Sequence, residues 1–168
     1  MKKIIVIGFL LFSISANAQV PLTLVRNSCS VSDSARGVKT TQIPMNEIVE
    51  ENNYRGDLTV SYSQFRGQKI GYAKTKSGMS FIIFGKFLYS VADATPTEMS
   101  VSRYKNALKN GDIELDLLAD WSFLEYKQKR YLCITLSRPM EKAPPRAYLL
   151  DMTSNPHRLF FISSPLKH

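Results

Sequence analysis

The chain has 168 residues, of which 44% are hydrophobic, 11% aromatic and 21% charged, and its formal net charge is +8. These values are typical of one globular domain. They exclude a disordered tail, a collagen-like repeat and a small scaffold held together by many disulfides.

The first eighteen residues have the pattern of a secretory signal peptide. Lys2 and Lys3 precede an apolar run over residues 4–14, and the small-residue cleavage site Ala16-Asn17-Ala18 follows. A buried N-terminal strand is the alternative interpretation. We therefore expect residues 1–18 to be a cleaved signal and residues 19–168 to form one exported globular domain. Cleavage leaves 150 residues with a net charge of +6.

This signal makes the periplasm the favoured destination and secretion the alternative. Gln19, the first mature residue, is not the cysteine that a lipid anchor would need. No later stretch approaches the roughly 20 apolar residues of a membrane helix, so we expect no transmembrane segment after cleavage.

The mature chain then alternates between predicted strands and turns. Residues 20–26 fit a first strand, residues 27–41 a loop, and residues 44–51 either a short helix or a strand. The later predicted strands cover residues 58–65, 69–76, 79–84, 87–92, 112–119, 121–126, 130–137, 147–152 and 158–162. The Gly85-Lys86 pair fits a type II′ hairpin turn or a bulge.

One segment carries clear helix signals. Residues 95–98 form a capping box with proline at the first helical position, which predicts a helix over about residues 96–109. Val101, Tyr104 and Leu108 would form its buried stripe. The fold class predicted is therefore α+β and β-rich. It has antiparallel sheets, or a partly closed barrel or sandwich, of about eight to ten strands and one main α-helix.

Cys29 and Cys133 are the two cysteines of the chain. Because exported thiols are oxidised, we predict one disulfide between them. A metal site would need further Cys or His at short spacing, so we predict no metal and no cofactor. Strand alternation places Cys133 on the face opposite Leu132 and Ile134.

The positive charge is concentrated near the C-terminus. Residues 126–168 carry eight basic and two acidic side chains. Their net charge of +6 equals the net charge of the whole mature chain. Basic residues interleaved with aromatic ones bind polyanions by ion pairing and stacking. The alternative is that they only solvate a hairpin tip and protect its edges. The candidate partner-binding residues are Tyr126, Lys127, Lys129, Arg130, Tyr131, Arg138, Lys142 and Arg146.

Catalytic signals are sparse. His157 lies in a predicted turn, and Asp112, Glu114 and Asp116 alternate on a predicted strand, where they form either a solvated face or the start of a Ca²⁺ site. The chain lacks a nucleophile elbow and a glycine-rich phosphate loop. We therefore predict no enzyme activity. The alternative is a small envelope hydrolase that uses His157 or two of Asp112, Glu114, Asp116 and Asp120.

The function expected from these patterns is non-enzymatic binding. The partner would be a protein or an anionic envelope component, such as part of a secretion apparatus or a toxin that the protein neutralises. Cytoplasmic nucleic acid is not expected. A second alternative is a carrier of lipids or small molecules, whose cavity would be lined by aromatic side chains. The aromatic candidates are Phe81, Phe84, Phe87, Tyr89, Trp121, Phe160 and Phe161.

Overall fold

The structure is a computed structural model that describes residues 23–31, 36–45, 49–52, 57–97, 100–110, 119–136 and 146–163. These ranges contain two α-helices, one 3₁₀ turn over Val91–Asp93, and eleven strands. The helices are α1 (Thr23–Val31) and α2 (Val101–Asn110). The strands are β1 (Lys39–Gln42), β2 (Val49–Asn52), β3 (Leu58–Phe65), β4 (Gln68–Thr75), β5 (Ser80–Phe84), β6 (Phe87–Ser90), β7 (Thr95–Pro96), β8 (Asp120–Tyr126), β9 (Lys129–Leu136), β10 (Arg146–Asp151) and β11 (Arg158–Ser163).

The strands form two open sheets. The large sheet has the order β1-β8-β9-β10-β11-β7, and the small sheet is the meander β2-β3-β4-β5-β6. All pairings are antiparallel except that of β7 with β11. The predicted α+β, β-rich fold class is confirmed, and the described strands β3 to β6 and β8 to β11 follow the predicted ones within one or two residues.

The large sheet is buried on both faces. One face packs against the small sheet and Tyr104 of α2, and this first core contains Leu132 and Ile134. The other face packs against α1, and this second core contains Tyr131 and Cys133. The predicted division of β9 into two faces is therefore confirmed. Because both faces are covered, the central strands are almost continuously apolar.

The predicted disulfide joins α1 to the centre of the large sheet. Cys29 and Cys133 are bonded with a Cα–Cα distance of 5.6 Å across 104 positions of sequence. Val25, one helical turn before Cys29, is also fully buried in the second core. The bond therefore covers one face of the sheet with a helix.

The prediction for the N-terminal segment was wrong in three of the described ranges. Residues 23–26 belong to α1 rather than to a strand, and residues 27–31 continue that helix rather than forming a loop. Residues 39–41, also predicted as loop, lie in β1. The helix forms because Val25 and Cys29, four positions apart, bury one helix face against the large sheet. Residues 20–22 lie outside the described ranges.

The start of the second helix also differs from the prediction. Thr95 and Pro96 form β7 and pair in parallel with Phe160 and Phe161, so they cannot also open a helix. The helix α2 begins at Val101, whose side chain is 38% exposed rather than buried. Tyr104 is buried as predicted, and its hydroxyl donates to the carbonyl oxygen of Ala92 over 2.6 Å.

Four tyrosines should make the stability of the fold depend on pH in the alkaline range. Burial raises the pKa of the Tyr89, Tyr104, Tyr131 and Tyr148 phenols, because a phenolate loses its hydration there. Their stabilising contribution is complete below the unfolded pKa of about 10 and is lost as pH rises through the raised native values. We expect the free energy of unfolding to fall in this range, as circular dichroism during denaturant titration will show.

Ultraviolet titration of phenolate provides the matched control. These four tyrosines should ionise at higher pH in the native protein than in the denatured chain. Coincident titration of the native and denatured forms, with the fold intact, would contradict this assignment.

Candidate binding surface at the hairpin pole

Three hairpin turns lie at the same end of the molecule. The ring of Phe123 in β8 packs 5.8 Å from that of Phe65 at the end of β3 and 6.3 Å from that of Phe84 at the end of β5. Each of these strands leads within a few residues into its turn, at Arg66-Gly67, Gly85-Lys86 and Lys127-Gln128. We call this end the hairpin pole. It comprises residues 65–67, 85–87, 125–130 and 151–158.

The backbone of each turn explains why the tips are tight. Arg66 and Gly67 have φ values of 50° and 74°, and Lys127 and Gln128 have 46° and 64°. Two successive positive φ values are characteristic of the type I′ turn, which matches the twist of a hairpin. Gly85 has a φ of 62°, as the first residue of a type II′ turn requires. This favours the turn over the bulge at Gly85-Lys86.

Each of the three turns carries a cation over a neighbouring aromatic ring. The Arg66 guanidinium lies 5.3 Å from the centre of the Phe65 ring. In the next hairpin the Lys86 ammonium lies 5.5 Å from the Phe87 ring. The Lys127 ammonium lies 5.3 Å from the Tyr126 ring. Each contact contributes about 0.5–1 kcal/mol at an exposed site and holds a charge beside an apolar face.

The fourth part of the pole, the β10–β11 loop, joins the two sheets. His157 Nδ1 lies 2.6 Å from the Tyr89 hydroxyl, and the His157 ring packs 6.1 Å from Phe87 and 6.4 Å from Phe84. This connection fixes the loop of the large sheet against the β5–β6 hairpin of the small sheet. Burial raises the pKa of the Tyr89 phenol, which keeps it neutral as a hydrogen-bonding group.

The pole has an excess of positive charge. Its carboxylates are Glu125 and Asp151, and both have contacts within the protein. Glu125 pairs with Arg130 over 3.3 Å. Asp151 accepts hydrogen bonds from the backbone nitrogen and hydroxyl of Thr153, at 2.8 and 2.6 Å. The cations of the pole are Arg66, Lys86, Lys127, Lys129, Arg130 and Arg158.

Another charged cluster, on the outward face of the small sheet, is paired internally. The Tyr62 hydroxyl donates to Glu51 over 2.6 Å, and the Lys69 ammonium lies 3.7 Å from the same carboxylate. The hydrogen bond with Tyr62, together with Glu51, raises the pKa of Lys69. This cluster therefore balances its own charge, whereas the pole does not.

The structure brings four of the predicted partner-binding residues together. Tyr126, Lys127, Lys129 and Arg130 surround a shallow concavity of about 300 Å³ at the β8–β9 turn. Tyr131, by contrast, is only 2% exposed and belongs to the second core. Its ring supports the hairpin from within and does not contribute to the surface.

The other predicted basic residues are not at this turn. Arg146 pairs with Leu136, at the far end of β9 from Lys129. Seven residues of extended strand, or about 23 Å, separate these positions. Arg138 and Lys142 lie outside the described residues. The cationic surface therefore does not follow the C-terminal third of the sequence.

The sequence did not indicate that the two other turns of the pole belong to the candidate binding surface. Arg66 and Lys86 come from segments with no marked charge excess. The signal that could have found them is the repeated pairing of a cation with an aromatic neighbour at each hairpin turn: Phe65-Arg66, Lys86-Phe87 and Tyr126-Lys127.

The residues of the alternative hydrolase are only partly described. Asp120 is exposed at the start of β8, whereas His157 lies level with the other end of that strand. Five residues of strand place them about 16 Å apart along the sheet. Asp112, Glu114 and Asp116 lie outside the described ranges. Among the residues described, no three His, Cys, Asp or Glu side chains cluster in a way that could hold a metal.

The aromatic residues of the alternative carrier do not surround one cavity. Trp121 and Phe161 are packed in the first core, and Phe160 is packed in the second, on the other face of the large sheet. Phe84 and Tyr89 lie at the edge of the first core, while Phe87 is half exposed. Phe81 alternates with Ile82 and lies on the opposite face of the small sheet.

Comparison with known proteins does not assign the chain to a family. No family model, curated protein or solved structure matches the chain. In the part of the chain that is described, none of the helices has the length and apolar character needed to cross a bilayer.

Proposed function

We propose that the protein is a non-enzymatic, exported binding protein that engages a macromolecular partner through the hairpin pole. The partner is an anionic envelope component, an element of a secretion apparatus or a toxin that the protein neutralises. The observation that carries this proposal is the convergence of three cation–aromatic turns from different parts of the sequence at one end of two packed sheets.

The physical properties of the pole suit binding. Its turns are short and tight, so they lose little conformational freedom on contact with a partner. Its unbalanced cations attract an anionic surface from a distance and raise the association rate. The half-exposed ring of Phe87 then provides close contact area with few rotatable bonds.

Charge reversal tests this proposal. We expect the variant Lys127→Glu, Lys129→Glu, Arg130→Glu to retain partners from envelope extracts at least tenfold more weakly than the wild-type protein. The remaining binding should also depend less on salt, because fewer ion pairs form. The measurement is affinity capture at low and high salt on the exported protein with its disulfide intact.

A matched variant distinguishes the effect of charge at the pole from the effect of the net charge of the protein. Lys76, Lys105 and Lys109 are exposed away from the pole, so Lys76→Glu, Lys105→Glu, Lys109→Glu removes the same charge elsewhere. This control should bind as the wild-type protein does. Equal losses in the two variants, or no loss in either, would remove the pole from the mechanism.

A further inference from the structure

We infer that the hairpin pole seats on an anionic phospholipid surface, with the cations of the three turns on headgroup phosphates and Phe87 entering the interface. This inference rests on the proposed function and specifies its partner. It follows from the shape of the pole, from the exposure of Phe87 and from the stacking of cations on rings.

The shape of the pole favours an extended partner. Three separate turns protrude from the ends of two sheets, and the concavity at the β8–β9 turn is bounded by residues of that hairpin alone. A small anion in this concavity would not reach Arg66 or Lys86. A bilayer presents many phosphates in one plane, and these can move laterally to meet all three turns.

The exposed apolar residues lie beside the cations. Phe87 and Leu88 are 50% and 51% exposed at the start of β6, directly after Lys86. Aromatic side chains with neighbouring Lys or Arg are characteristic of protein segments at the headgroup level of a membrane. A membrane surface would therefore contact both the exposed Phe87 ring and the neighbouring cation.

The stacked pairs distinguish a lipid from an acidic protein. Each turn holds its cation over a ring, at 5.3 to 5.5 Å. At the β5–β6 turn that ring, Phe87, is half exposed, so a cation and an apolar face are presented together there. At a bilayer surface, headgroup phosphates and acyl chains are likewise close together. An acidic protein surface would pair with the cations but would leave the Phe87 ring in water.

A tryptophan at position 87 reports contact with the bilayer. The chain has one tryptophan, Trp121, which is 1% exposed and therefore gives a constant background. In the variant Phe87→Trp we expect a blue-shifted emission with vesicles of phosphatidylcholine and phosphatidylglycerol, and quenching by brominated acyl chains. Vesicles of phosphatidylcholine alone should produce neither change.

Charge-neutral variants test the role of the turn cations. Arg66→Asn, Lys86→Gln, Lys127→Asn keeps side chains that suit these turns, since asparagine tolerates positive φ. Co-sedimentation with the anionic vesicles should weaken at least tenfold. The matched variant Lys76→Gln, Lys105→Gln, Lys109→Gln should co-sediment like the wild-type protein.

The outcomes separate this inference from the proposed function. Absence of binding to anionic vesicles overturns the lipid assignment, and so does binding without quenching at position 87. If capture from envelope extracts still depends on the pole in that case, the partner is an envelope component other than phospholipid and the proposed function stands. If that dependence is also absent, both proposals are wrong.

Discussion

Replacing both cysteines, Cys29→Ala and Cys133→Ala, should lower the free energy of unfolding by about 4–5 kcal/mol. The bond closes a loop of 104 positions. In the chain-entropy description, a disulfide that closes a longer loop restricts the unfolded chain more and therefore stabilises the folded protein more. Alanine is the suitable replacement because both positions are buried and a serine hydroxyl would need a partner there. Denaturant unfolding of oxidised wild-type and variant protein measures the difference.

Reduction of the bond should act first on α1. Cys29 and Val25 hold this helix on the second core, while the central strands of the large sheet remain paired without it. We expect trypsin to cut the reduced protein after Arg26 or Arg36 before it cuts after Lys127. Equal sensitivity of the oxidised and reduced proteins would contradict the placement of the helix.

The substitution Phe161→Ala should cost about 3–5 kcal/mol of the free energy of unfolding, as large-to-small changes of buried aromatic residues do. Phe161 is fully buried at the centre of the first core, with its ring 5.0 Å from Tyr104 and 5.5 Å from Tyr148. It therefore joins α2 to the large sheet. Denaturant titration at constant pH is the measurement.

The variant Phe87→Ala is its control. Phe87 is half exposed at the hairpin pole, so the same change of residue should cost less than about 1 kcal/mol. A loss as large as that of Phe161→Ala would contradict the assignment of Phe87 to the surface and Phe161 to the core.

Strands with local patterns were predictable from the sequence. In β3, apolar and polar residues alternate over residues 58–63, and the Arg66-Gly67 turn follows the segment, so both its extent and its pairing with β4 follow from nearby residues. The strands β8 and β9 do not alternate, because both of their faces are buried, but the Lys127-Gln128 turn between two apolar runs marks where each strand ends. The face of Cys133 was also predictable, because alternation requires only its neighbours.

The positions at which the two helices begin depend on contacts between residues that are far apart in the sequence. The helix α1 contains Thr, Asn, Ser and Val, which are weak helix formers, and it is stabilised by burial on the large sheet. The capping box at Thr95 competes with parallel pairing to β11, and the pairing prevails. Local patterns cannot decide such competitions.

The candidate site was predictable only in part. Lys127 and its neighbours form a continuous basic run, which identified one turn of the pole. Arg66 lies 20 positions before Lys86, and Lys86 lies 41 positions before Lys127. Their convergence requires the packing of Phe65 and Phe84 against Phe123, which no short sequence pattern encodes.

The most direct test of the hairpin pole as the binding surface is an amide NMR titration. Oxidised, isotope-labelled protein is titrated with bicelles of phosphatidylcholine containing phosphatidylglycerol. The amide signals of Gly67, Gly85 and Gln128 should shift together and saturate, while that of Gly78, in the β4–β5 turn at the opposite end, should remain unchanged. An equal response of Gly78, or no response from the three pole residues, would contradict the binding of phospholipid at the hairpin pole.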